Sequence, residues 1–302
     1  MPKKKASRRF PPITDPRHIT PISGKDSLAT ALLMRELHPE IPMEYVWNDT
    51  GWELPEVYEW IDQVENVFGT IHRCGDDLTE IVAEQGLLPS RMFRFCTKYA
   101  KIHPMRDWIG GSPSVLYFGL RADEPGRIAG MVPNKNQTYR FPLQEHGYAF
   151  TDVWKYVSKS GLMPPAFTWQ WMVDRVAELG GQQPLKMPEW EWRVLFAGRS
   201  RPNCDRCFNQ RQYEWVWLHE THPDRFDEAC DMEEDHQGKS SYRWLGKGVP
   251  LRSILDRADV IKEKRARAIL GVLNAYRQKY LFQVIDDGDS FGAVSCGLFC
   301  GK

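Results

Sequence analysis

His18-Ile19-Thr20-Pro21-Ile22-Ser23-Gly24-Lys25-Asp26-Ser27 is the stretch that decides the fold. Residues 18–22 are short, β-branched and apolar, the composition of a buried strand. The residues that follow, 28–38, place Leu28, Leu32, Leu33 and Leu37 on one face of a helix. Asp26 and Ser27 are N-cap residue types, so 23–27 is expected to be a loop between a strand end and a helix start. Such a loop aims unpaired backbone N–H groups and the positive end of the helix dipole at one point. Its natural guest is an anion, above all a phosphate.

The same alternation continues outward. Residues 43–50 form a second predicted strand, closed by Asn48-Asp49-Thr50-Gly51, and Pro55 opens a helix over 56–67. Proline suits that first turn because its N–H would lack a helical partner anyway. Residues 70–74 and 114–121 supply a third and a fourth strand, with a helix over 77–85 between them. Alternating strands and helices imply an α/β fold, a parallel twisted sheet with helices on both faces. Ligands bind such sheets outside the C-terminal strand ends. The loops 23–27, 48–53 and 121–124 all follow strands and are expected to share one site.

Composition narrows the function classes. The chain has 302 residues, with 40 Lys+Arg against 40 Asp+Glu. Zero net charge argues against a protein devoted to non-specific nucleic-acid binding. No run of about 18 apolar residues exists, so no membrane span is expected. The start, residues 1–16, is a basic tail without the apolar stretch of a secretory signal and is expected to be flexible. A cytoplasmic, reducing compartment follows as the expectation, and with it seven cysteines that are core thiols, nucleophiles or ligands rather than disulfides. Domain boundaries are expected at 17–160 for the nucleotide-binding part and 161–302 for a helical, cysteine-bearing region.

Five blocks in order resemble one family. Ser23-Gly24-Lys25-Asp26-Ser27 is similar to the PP-loop, ordinarily Ser-Gly-Gly-Lys-Asp-Ser. Asp49-Thr50-Gly51-Trp52-Glu53-Leu54-Pro55-Glu56, Arg94-Phe95-Cys96-Thr97 with Lys101-Ile102-His103-Pro104, Gly119-Leu120-Arg121, and Thr151-Asp152-Val153-Trp154 with Tyr156 resemble the remaining blocks. Together they resemble the phosphoadenosine phosphosulfate (PAPS) reductase family of the PP-loop adenine-nucleotide α-hydrolase superfamily. One departure stands in the loop: Ile22 occupies the first serine position and Ser23 the first glycine position, which removes one glycine from the cradle.

The resemblance implies an enzyme of the ATP pyrophosphatase (adenylating) type, binding ATP and cleaving it between the α and β phosphates. The alternative it implies is a PAPS reductase that releases sulfite through a C-terminal cysteine, with a thiol protein as electron donor. A third is a non-catalytic nucleotide-binding accessory protein, since relatives occur on phages and plasmids and beside DNA-modification and type IV CRISPR genes. The implied nucleotide-binding set is Ser23, Gly24, Lys25, Asp26, Ser27, Asp49, Thr50, Gly51, Glu53 and Arg121. Lys25 would neutralise phosphate charge. Asp26 or Asp49 would help hold Mg2+. Arg121 would offset charge on leaving pyrophosphate, or else pair with Asp123 or Glu124. With Cys296 as the reductase nucleophile, the catalytic candidates are Lys25, Asp49, Arg121 and Cys296.

The second half carries most of the cysteines. Cys204-Asp205-Arg206-Cys207 follows a Pro-Asn turn that brings two thiols to one side, a metal or redox geometry. The tail offers Cys296 and Cys300. Four thiolates from the two pairs would bind Zn2+ or a 4Fe-4S cluster, and some members of the resembled family carry such a cluster. The preferred quartet is Cys204, Cys207, Cys296 and Cys300, with Cys230 or Cys96 able to replace a tail member. Cys296-Gly297-Leu298 also keeps the middle of the reductases' Glu-Cys-Gly-Leu-His tail, but Ser295 and Phe299 replace its ends.

Helices are expected over 167–179 and 209–219 and after Pro223. Trp169, Trp171, Trp190 and Trp192 are expected in the core or an interface. Acids cluster at 220–235 and basics at 257–279. The basic helix is either a solvated face or a docking face for nucleic acid or an acidic protein.

Overall fold

The computed structural model describes residues 16–167, 170–184, 187–202, 204–236, 243–246 and 248–277. Alternation along each strand builds its two faces. In β2 (Met43–Asn48), Tyr45 and Trp47 enter one buried cluster while Val46 enters another on the opposite side. Side chains with a period of two make this division obligatory. β1 (Arg17–Pro21) pairs in parallel with β2 and with β4 (Ser114–Tyr117). β3 (Ile71–Cys74) and β5 (Gln137–Arg140) form the edges, so the sheet runs β3-β2-β1-β4-β5, all parallel. The fifth strand went unread in the sequence because Gln137-Thr138-Tyr139-Arg140 is polar, as a half-exposed edge permits.

α1 (Lys25–Leu37), α2 (Pro55–Phe68) and α3 (Leu78–Gln85) contribute Leu28, Leu33, Trp60, Ile61, Ile81 and Val82 to the larger cluster. On the other face, α4 (Phe95–Thr97) leads through a π-helical stretch, Lys98–Ile102, into α5 (His103–Ile109). There Met105 and Ile109 pack with Ile19, Val46 and Leu116. Helices therefore cover both faces, as the strand-helix alternation predicts. α6 (Pro142–Glu145) and α7 (Phe150–Ser160) complete the half that carries the sheet.

The second half is helical: α8 (Val173–Glu178), α9 (Glu189–Leu195), α10 (Gln212–Thr221), α11 (Pro223–Asp235) and α12 (Ala258–Arg277). The large cluster crosses from Ile22, Trp52 and Trp60 to Trp215, Trp217 and Phe226, so the two halves bury apolar surface against each other. That burial is the main force holding them together, at roughly 25 cal/mol per Å2 of apolar surface. Trp60 Nε1 also donates to Leu162 O at 2.9 Å. Trp190 stacks on Trp154 and Trp171 on Tyr213, while Trp192 meets Phe196 at 4.2 Å. Trp169 lies outside the described residues.

Several boundaries differ from expectation for local reasons. The helix expected over 167–179 is a 3-10 turn, Pro165–Phe167, followed by the short α8. Met172 ends the non-helical part in a left-handed conformation, φ 69°, which a continuous helix does not allow. β4 stops at Tyr117 rather than 121, because Phe118 to Arg121 must turn over the start of α1. Gly119 makes that turn possible: a Cβ there would lie 2.5 Å from the Asp26 carbonyl carbon. α10 starts at Gln212, where Glu214 Oε2 accepts the Arg211 N–H at 2.8 Å.

Part of each charge block is paired within the chain. Acids of α11 pair with Arg252, Arg206 and Arg243. On α12, Lys262 pairs with Glu220 and Arg267 with Glu263. Arg265 turns inward, donating to Leu195 O at 2.9 Å with its guanidinium over the Tyr213 ring.

Candidate nucleotide site

α1 begins three residues earlier than its apolar pattern suggests, at Lys25. Lys25, Asp26 and Ser27 therefore form the first helical turn, and Gly24 is the cap. Ser27 Oγ accepts the N–H groups of Ser23 at 2.8 Å and Gly24 at 3.0 Å, and donates to Gly24 O at 2.9 Å. One hydroxyl thereby folds the loop onto the helix.

Two cations close on one carboxylate above this turn. Lys25 Nζ lies 2.6 Å from Asp26 Oδ2, and Arg121 Nη1 lies 3.1 Å from Asp26 Oδ1. Arg121 also binds Asp123 at 2.9 Å and Glu124 at 3.3 Å, the pairing expected of it as the alternative to a phosphate role, while its contact with Asp26 turns it towards the loop. Burial alone would push the Asp26 carboxyl up, but Lys25 and Arg121 outweigh it and hold the group below the usual carboxylate range. Phe150, at the start of α7, lies beneath both cations, 5.5 Å from Lys25 Nζ and 5.3 Å from the Arg121 guanidinium carbon. Trp154 provides a second ring for Lys25.

The loop after β2 lies beside this cradle. Asp49 Oδ1 accepts the Gly51 N–H at 3.0 Å and the Tyr58 hydroxyl at 2.9 Å. Gly75 allows the approach, because a Cβ there would come 1.8 Å from Asp49 O and its φ is +140°. Glu53 is buried and holds Thr50 by its N–H at 3.0 Å and its hydroxyl at 2.9 Å. Burial raises the Glu53 pKa against the pull of Lys101. A small pocket of about 20 Å3 is lined by Ser23, Asn48, Glu53, Lys101 and Pro202, with Trp47 among its walls. The buried Asn48 Oδ1 has no hydrogen-bond partner among the described residues.

The Cys-x-x-Cys turn arrives at the same place. Thr50 Oγ1 lies 3.7 Å from Cys204 Sγ, and the Asp205 N–H donates to Trp52 O at 2.6 Å. The fully buried Arg199 fixes the turn through Cys204 O at 2.8 Å and Gln210 Oε1 at 3.1 Å. Burial pushes the Cys204 thiol up to about 12, against the pull of Lys101. Cys207 and Cys230 are buried, and burial raises the Cys230 thiol to about 12. Cys296 and Cys300 lie outside the described residues. Among the described residues no group of three or more His, Cys, Asp or Glu is arranged to hold a metal ion. His222 binds Glu56 at 3.1 Å, and His236 Nδ1 lies 2.7 Å from Met232 O.

The structure thus gathers Ser23, Gly24, Lys25, Asp26, Ser27 and Arg121 at one end of the sheet, with Asp49, Thr50, Gly51 and Glu53 in the adjoining loop. Cys204 joins the second group. Sequence reasoning missed Phe150, Lys101 and Pro202 as members, while Asn48 lies in the 48–53 loop expected there. Lys101 belongs to a recognisable block and Phe150 adjoins one, so both carried a signal; Pro202 carried none, because only tertiary packing brings it across.

A model of the phosphoadenosine phosphosulfate reductase domain matches residues 17–168. The crystal structure of PAPS reductase from Candida auris, phosphate complex, is similar at 14% identity with a TM-score of 0.37, over 57% of this chain and 81% of that one. No curated protein matches the chain. Among the described residues no helix is long and apolar enough to cross a membrane.

Proposed function

Because the chain belongs to the phosphoadenosine phosphosulfate reductase domain family, we propose that it is an adenine-nucleotide enzyme that binds ATP at Ser23–Ser27 and cleaves it between the α and β phosphates. The observation that carries this reading is the convergence of Lys25 and Arg121 over the first turn of α1. Two cations and a helix N-terminus at the C-terminal end of a parallel sheet suit a polyphosphate. In the step, an acceptor oxygen attacks the α-phosphorus, the bond to the bridging oxygen breaks, and pyrophosphate leaves with that electron pair. Lys25 and Arg121 offset its growing charge once phosphate replaces Asp26 as their partner. Ser27 and Gly24 set the loop that holds the phosphates in line.

Asp49, or Asp26 once phosphate has taken its two cations, would hold Mg2+, which would supply charge neutralisation for the phosphates. The donor set of a four-thiolate zinc or iron–sulfur centre is not assembled among the described residues. No step is assigned to such a centre.

Cys204 beside Thr50 favours a second reading, since it brings a thiol to the nucleotide loop. On that reading the protein is a sulfonucleotide reductase. Incubation with labelled ATP and with PAPS separates the two. AMP and pyrophosphate from ATP support the first. Sulfite from PAPS, lost in Cys296→Ser, replaces it with the reductase. Tight ATP binding without turnover of either compound points to an accessory protein.

A further inference from the structure

Pro202 belongs to the Cys-x-x-Cys segment yet touches the phosphate loop. A carbon added at Gly24 would lie 3.2 Å from Pro202 Cγ and 3.6 Å from Cδ, so the ring covers that glycine's open face. Pro202 also lines a small space of about 20 Å3 with Ser23, Asn48 and Lys101, room for on the order of one water. The loop's own donors are also turned inward, with the Ser23 and Gly24 N–H groups on Ser27 Oγ. The cradle is therefore closed on itself: Ser27 takes the amides, Asp26 takes the cations and Pro202 takes the approach.

We propose that Pro202 is a removable roof over the phosphate loop, and that lifting it is transmitted to the Cys-x-x-Cys turn. The inference rests on Ser23–Ser27 being the phosphate site. The route of transmission is short. Cys204, next but one in the chain, contacts Thr50, and Asp205 is tied to Trp52 O by a 2.6 Å hydrogen bond. Arg199 and Glu214 hold the segment from behind, with Glu214 Oε1 accepting both the N–H and the hydroxyl of Ser200 at 2.6 Å. A ligand that displaces Pro202 strains the tie between Asp205 and Trp52 while the rear anchors stay fixed. Coupling of this kind is reciprocal: whatever fixes the turn opposes nucleotide entry, and whatever loosens it favours entry.

Hydrogen exchange of the full chain, with and without ATP or PAPS in Mg2+, reads the Asp205 amide directly. Bound nucleotide is expected to speed its exchange on the order of tenfold. Pro202→Gly should bind nucleotide about tenfold more tightly, with Asp205 exchange no longer responding to the ligand. Pro202→Ala is the second variant should glycine unfold the turn, and the wild-type exchange result stands without either. Unchanged or slower Asp205 exchange, with binding verified by calorimetry, overturns the roof and leaves the phosphate site intact. Failure of wild type and Pro202→Gly alike to bind either nucleotide overturns both.

Discussion

Arg121 and Asp26 meet across 95 positions of sequence, Nη1 to Oδ1 at 3.1 Å. The contact joins the loop after β4 to the first turn of α1, and Lys25 completes it from the other side. A carboxylate so clamped does in the folded chain what a phosphate oxygen would do in a complex. The proposed ligand must exchange with it.

Removal of either cation tests that exchange. Arg121→Ala and Lys25→Ala should each weaken nucleotide binding by about 1.5–3 kcal/mol, the worth of a hydrogen bond to a charged group. Calorimetric titration with ATP measures it. Unaltered affinity in both variants removes the loop from consideration as the phosphate site.

Gly119 and Gly75 carry the backbone geometry of the site. A Cβ at Gly119 would meet backbone atoms of Asp26 and Ser27 at 2.5–2.6 Å. Gly119→Ala is expected to cost about 1–3 kcal/mol through overpacking. Gly75→Ala should cost more, since its Cβ would collide with Asp49 O at 1.8 Å from a positive φ. Urea midpoints rank the two, and the reverse order contradicts this account of the β2 loop.

Glu53 sets a pH signature. Its folded pKa is raised above 4.5 by burial, so the folded chain holds its proton more tightly than the unfolded chain. Below that value both states are protonated and Glu53 brings no penalty. Above it, stability falls as pH rises through the folded pKa. The stability difference between wild type and Glu53→Gln should therefore change with pH only above about 4.5. A difference that changes below that window instead, measured by urea unfolding at several pH values, argues that the carboxylate is stabilised and not penalised.

Glu233 and Asp227 both form ion pairs on α11, with opposite weight. Glu233 is buried and holds Arg243 at 3.0 Å, the Trp244 N–H at 3.0 Å and the Leu251 N–H at 2.9 Å. Glu233→Ala should cost about 3–5 kcal/mol, because it leaves a half-buried cation and two buried amides without their acceptor. Asp227 binds Arg252 where both are half exposed. Asp227→Ala should cost less than about 1 kcal/mol. Equal effects in thermal unfolding would show that burial is not what separates them.

Much of the site was legible because its parts are local. Ser23–Ser27, Asp49–Glu53 and Arg121 each follow a strand, and a parallel sheet puts all such loops at one end. The internal pairing of charge was not legible. Arg265 carries the same charge as its neighbours, yet lies against Leu195 O and the Tyr213 ring because its position on α12 faces the core. The short α8 and the polar β5 were missed for a related reason: a left-handed Met172 and an edge position override local preference.

The sequence by itself determined the parallel α/β sheet, the strand-to-helix loop Ser23–Ser27 and the grouping of three loops at one end. Strand periodicity and turn residues act over a few positions, and their consequences can be read there. The tertiary structure alone decided what fills the loop: Asp26 between two cations, Pro202 over Gly24 and Cys204 against Thr50. The last of these spans 154 positions. The two that involve Pro202 and Cys204 follow from the apolar surface that the two halves bury together, which no local pattern encodes.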